Sequence, residues 1–130
     1  MQQAVNDILD AARQSGQFVY MNDEVFDENE KYPALIVTER RRKLNEVVST
    51  AQVYFSEWEY IVVVMVEKKA GYEKLETVVS EFLKKLFQKN TSGTTFFALA
   101  SETQYEAYVS EYDVLVSRLT IFASVKSTYV

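Results

Sequence analysis

The run EYIVVVMVEKKAGYEKLETVVSEFLKKL, residues 59–86, decides the fold. Its first part is a strand with apolar residues on both faces. Trp58, Tyr60, Val62, Val64 and Val66 share one side, and Ile61, Val63 and Met65, with Glu57, Glu59 and Glu67, share the other. A strand with an apolar centre on both faces needs cover on both. The second part supplies one cover. Tyr72, Leu75, Val78, Val79, Phe82, Leu83 and Leu86 recur at helical spacing, with Glu73, Glu76, Glu81, Lys84 and Lys85 opposite them. Glu81 and Lys85 also stand at the favourable i, i+4 spacing. The stripe is expected to pack on the IVVVMV strand.

Upstream, Ala4, Val5, Ile8, Leu9 and Ala12 mark an amphipathic helix over residues 3–14, closing near Gly16, with Asn6, Asp7, Asp10 and Arg13 on its polar face. Phe18, Val19 and Tyr20 suit a short strand, and residues 27–31 suit a loop. Pro33, the sole proline, biases Tyr32 toward an extended backbone and so marks the entrance to a short buried strand over residues 34–38. The chain returns to β character over residues 47–67. Downstream, residues 90–93 read as a turn, and residues 95–100, 105–109 and 114–125 as three strands. This order predicts one α+β domain over residues 1–130. Its sheet is antiparallel or mixed, with two helices packed on one face and a long charged β-hairpin.

A chain of 130 residues can bury one ordinary core, and a hydrophobic fraction of 48% with 25% charged residues is typical of a folded chain. Nine Tyr, eight Phe and Trp58 suit an aromatic core first, and Tyr and Trp also suit half-wet protein contacts. The absence of Cys excludes disulfides, thiolate metal sites and cysteine nucleophiles, and suits a reducing compartment. The absence of His removes the usual general base and the commonest transition-metal ligand. Gly16, Gly71 and Gly93 stand too far apart for a phosphate-binding loop, and no nucleophile elbow is present. The acid pairs Asp23 with Glu24, Glu57 with Glu59, and Glu111 with Asp113 could serve glycoside hydrolysis or hold Mg²⁺ or Ca²⁺. An acidic chain produces such pairs by chance. No enzyme activity, catalytic residue, metal or cofactor is therefore expected. The N-terminus lacks the basic and apolar regions of a signal peptide. The longest apolar run, residues 60–66, falls far short of the ~20 residues that span a bilayer, so no membrane association is expected.

Charge is unevenly placed. Arg40, Arg41, Arg42 and Lys43 are consecutive in a chain of net charge −5. Nucleic-acid binding normally spreads cations over a face of a basic domain; here Glu39 and Glu46 bracket the cluster. In an extended strand Arg40 and Arg42 also point opposite to Arg41 and Lys43, which makes two pairs and not one patch. Charges of this kind commonly protect a strand edge. They also complement an acidic segment carrying Asp23, Glu24, Asp27, Glu28 and Glu30. Basic and acidic surfaces on one chain can meet head-to-tail between subunits, and such a contact closes into a ring when the rotation permits.

The stretch VYMNDEVFDENEKYPALIVTE, residues 19–39, with a charged hairpin, the Gly71-led helix and closing strands, resembles the tail terminator (tail completion) proteins of long-tailed bacteriophages. Val19, Tyr20, Tyr32, Pro33, Ile36 and Val37 carry the likeness, which by layout covers nearly the whole chain. The proline frequent in that family's loop is missing, with Phe26 and Asp27 in its region. The resemblance implies a structural virion protein of the tail or neck, assembled in the host cytoplasm and without an active site. Such a protein forms a homohexameric ring on the last ring of tail tube protein, ends polymerisation and presents a surface to the head connector or neck protein. DNA would meet it only in transit, past an acidic wall that repels phosphate. The hairpin tip with Arg40, Arg41, Arg42 and Lys43 would then reach a neighbour or the tube, with the acidic loop as its counter-surface. The alternative is a small acidic immunity or inhibitor protein that binds a toxin or enzyme as a monomer.

Overall fold

The computed structural model describes residues 2–16, 18–21, 32–48, 53–91, 95–109 and 112–128. In chain order these form α1 (Gln2–Gln14), β1 (Phe18–Met21), β2 (Ala34–Val48), β3 (Val53–Glu67), α2 (Gly71–Gln88), β4 (Thr95–Val109) and β5 (Tyr112–Thr128). The sheet order is β1-β2-β3-β5-β4. β2, β3, β5 and β4 pair antiparallel in turn, and β1 lies parallel on β2. The architecture is α+β, as the order of apolar patterns implies.

The two-faced strand is β3, and it lies at the centre. Tyr60, Val62 and Val64 are fully buried, in one cluster with Leu75, Phe82 and Leu86 of α2 and Ile8, Ala11 and Ala12 of α1. Both helices therefore pack on the same face. Alanines at 4, 11 and 12 present little bulk, and α1 packs against α2 and reaches β1 and β2. The α1 helix closes on Ser15, whose hydroxyl donates to the Ala11 and Ala12 carbonyls at 3.0 and 2.9 Å. Gly16 follows at φ 80°, a left-handed conformation that glycine adopts without steric cost. Five buried side chains hold α2 down: Leu75, Val78, Val79, Phe82 and Leu86. Each contributes about 1.5–3 kcal/mol when fully buried.

On the helix-free face, Ala34, Met65, Val114 and Val116 form a small buried cluster, with Tyr32, Ile36, Val63 and Ala107 packed against it. Ala34 is in register with Met65, and Met65 with Val116, so three of the four members form one row across three strands, with Val114 in the next row on that face. The cover that β3 requires on its second face is thus built partly from neighbouring strands. The Tyr32–Pro33 peptide at the entrance to β2 is cis.

Boundaries differ from the sequence expectation at three places, the first being the stretch from residue 47: Val47 and Val48 end β2, and β3 begins at Val53. β2 does not stop near residue 38 but runs through the basic cluster to Val48. The expected strands over 95–100 and 105–109 are one strand, β4, with a register shift between Leu99 and Ser101. The last two misreadings come from polar residues that reside on sheet edges, where a strand keeps water on one side.

Candidate protein-interaction surface

β4 closes one side of the sheet. Among the described residues, β5 is its only strand partner. Every residue from Ala98 to Glu106 is exposed, as are Phe96 at 45% and Tyr108 at 68%. The strand is nevertheless tied down along its length. Asn90, just past α2, grips the Phe97 backbone twice: its amide donates to the carbonyl at 3.1 Å and its oxygen accepts from the N–H at 2.7 Å. Buried Ser117 donates its hydroxyl to the Glu102 carboxylate at 3.0 Å, and Gln104 donates to the same oxygen at 3.2 Å. Lys68 pairs with Glu106 at 3.2 Å. The result is an ordered strand whose outer backbone groups face away from the sheet. Such an edge is a template for another strand, and natural edges are usually blunted with Lys, Pro or short length. β4 has neither Lys nor Pro and is 15 residues long; its edge-protecting features are Glu102, Glu106 and the register shift between Leu99 and Ser101.

β2 forms the other long edge. β1 pairs with it only from Ala34 to Val37. Beyond Thr38, no described strand lies on the outer side of β2. This is where the basic cluster falls. The register shift between Glu39 and Arg41 leaves Arg40 as the extra residue, and then sets Arg41 opposite Glu59, Arg42 opposite Trp58 and Lys43 opposite Glu57. The cations therefore lie along the hairpin arm, not at its tip, because the pairing continues to Val48 opposite Val53. The backbone register alone thus sets two of the cations across from acidic positions of β3. The acidic-segment residues Asp23, Glu24, Asp27, Glu28 and Glu30 lie outside the described residues.

Of the paired acids, Asp23, Glu24 and Glu111 and the side chain of Glu57 lie outside the described residues, so only Glu59 and Asp113 can be placed. Glu59 is buried at 9% exposure, and Asp113 is exposed at the other end of the sheet. Asp113 borders an open recess of about 420 Å³ with Glu67, Lys68 and Lys69, where Lys69 pairs with Glu67 at 3.1 Å. Among the described residues, no three carboxylates come together as a metal site, and no helix is long and apolar enough to cross a membrane. Sequence reasoning missed Tyr105, Tyr108, Glu102 and Glu106 as surface candidates. Their signal was a strand with acids and aromatics but no cation or proline.

No family model matches the chain, and no curated protein matches it. Among solved structures, the type 4 fimbrial biogenesis protein PilO from Pseudomonas aeruginosa is similar at a TM-score of 0.40 and 15% identity, over 98% of this chain and 70% of that one.

Proposed function

We propose that this chain is a structural assembly protein that works through its sheet edges and forms a ring of identical copies. More particularly, it is a tail terminator: its ring seats on the end of a phage tail tube, stops polymerisation and offers the joining surface for the head. One observation carries this reading. A 15-residue edge strand, anchored by Asn90, Ser117 and Lys68, has no strand on its outer side among the described residues and exposes Tyr105 and Tyr108 at 41% and 68%. A strand kept ordered yet open is suited to adding another strand, and Tyr is favoured where contacts are half apolar and half wet. The sequence likeness to tail terminators supplies the particular partner.

The direct test adds the purified protein to polymerising tail tube subunits and measures tube length by electron microscopy. Capping predicts shorter tubes with an extra ring at one end, at protein concentrations far below that of tube subunits. Tubes of unchanged length, together with a protein that stays monomeric, would move the assignment to the small acidic inhibitor class.

A further inference from the structure

We infer that the ring seam is a β-sheet continued between copies, in which β4 of one copy pairs antiparallel with residues 39–48 of β2 in the next. The inference rests on the ring reading and names the surfaces that build it.

Direction is the first support. β2, β3, β5 and β4 alternate, so β2 and β4 run oppositely within one copy. A second copy rotated about an axis along the strands therefore brings its β2 antiparallel to this β4, and the alternation passes through the seam unbroken. Length is the second. Among the described residues, no strand pairs with the outer side of β2 over residues 39–48, a length that matches the stretch 98–107 of β4, itself exposed throughout except for half-buried Ala107. The β1 strand then marks where pairing must stop.

Charge is the third. β4 carries Glu102 and Glu106 and no cation, whereas residues 40–43 of β2 are all cations. Pairing β4 with its own counterpart would bring no counter-charge to either acid in any register. Laying 39–48 antiparallel along 98–107 sets Arg40 opposite Glu106 and Arg42 opposite Gln104, with the cations between the two acids. From position 42 to Val48 it also keeps faces consistent, since position 42 is in register with buried Trp58 and position 104 with buried Ser117, both on the helix side; the bulge at Arg40 takes up the change of face between Glu39 and Ala107. Within one copy the cations stand level with Ala98, through Glu59 and Phe122, so the seam is staggered along the strands. Closing a sheet into a barrel requires such a stagger. Glu102 and Glu106 have local partners in Ser117 and Lys68, but both are exposed and can accept a second one.

The chain has no cysteine, so a crosslink reports only what is introduced. Mixing an Arg42→Cys variant with a Gln104→Cys variant under mild oxidation should give a reducible dimer containing one of each. The double variant Arg42→Cys/Gln104→Cys should give a ladder of linked copies. Separately, Glu102→Lys/Glu106→Lys should raise the concentration for half-assembly about tenfold, in a chain that still unfolds cooperatively although its melting point falls with the loss of the Ser117 and Lys68 contacts. Adding Arg40→Glu/Arg42→Glu to that chain should restore assembly. Assembly by light scattering without the 42–104 crosslink would overturn this seam and leave the ring intact. Failure of the charge exchange to restore assembly would overturn the pairing of these two edges. A wild-type chain that never self-associates, even on tubes, would remove seam and ring together.

Discussion

α2 and β4 are near neighbours in length, 18 and 15 residues, and both run along the same core, yet they are held by different means. The helix buries five apolar side chains, and its stability comes from that stripe. Among its described side chains β4 buries only Thr95 and Phe97, and it is fixed instead by its ladder to β5 and by the Asn90 clamp. An element held by burial offers solvent only its polar back. An element held by hydrogen bonds on one side can keep its other side available. The fold thus separates the part that makes it stable from the part that can join another molecule.

Substitutions can break or sharpen that contrast. The largest effect is expected at Phe82, fully buried under α2: Phe82→Ala should cost about 3–5 kcal/mol in urea unfolding through transfer loss and a cavity. A loss below about 1 kcal/mol would mean that the helix does not close the core. Next comes the clamp. Asn90→Ala leaves the part-buried Phe97 N–H and carbonyl without their side-chain partner, and should cost about 1–3 kcal/mol. Hydrogen exchange should then quicken at the Phe97 end of β4 and stay slow in the centre of β3. Gly71 opens α2 at φ 84°, ψ 163°, a conformation costly for a side chain although nothing lies within 4 Å of an added Cβ. Gly71→Ala should cost about 1–3 kcal/mol from backbone strain alone, read from the thermal midpoint. The smallest stability effect is expected at the exposed edge. Tyr105→Ala and Tyr108→Ala should each stay within about 0.5 kcal/mol of the parent in unfolding experiments. Both should weaken self-association by concentration-dependent sedimentation. Equal loss of stability and assembly would erase the distinction between the two elements.

Most of the α2 stripe and the two-faced centre of β3 could be read directly, because helical and strand periods write burial into spacing, but Tyr72, expected in the stripe, is exposed at 42% in the first turn of the helix. The same holds for α1 in part: of its expected stripe Ala4, Ile8 and Ala12 are fully buried and Val5 and Leu9 half-buried, while buried Ala11 was not among the expected positions. The length of β2 was hidden, since TERRRKLNE has no alternation and reads as a strand's end. β4 was hidden by SETQ at residues 101–104, a polar run that breaks the apolar pattern although the backbone stays in the ladder. Both lie at the rim, where cross-strand register and water satisfy polar residues. That β4 pairs with β5 and forms an edge is a fact of strand order, which no local window contains. The candidate surface was accordingly only half legible. The cations at 40–43 announced themselves by charge, whereas Glu102, Glu106, Tyr105 and Tyr108 became candidates only once the edge was known.

Self-association through those edges is the central claim, and the solution mass tests it most directly. Light scattering coupled to size exclusion, over a range of concentrations and at low and high salt, should find a hexameric species that retreats toward monomer as salt screens the charges. A monomer at every concentration and every salt would contradict it.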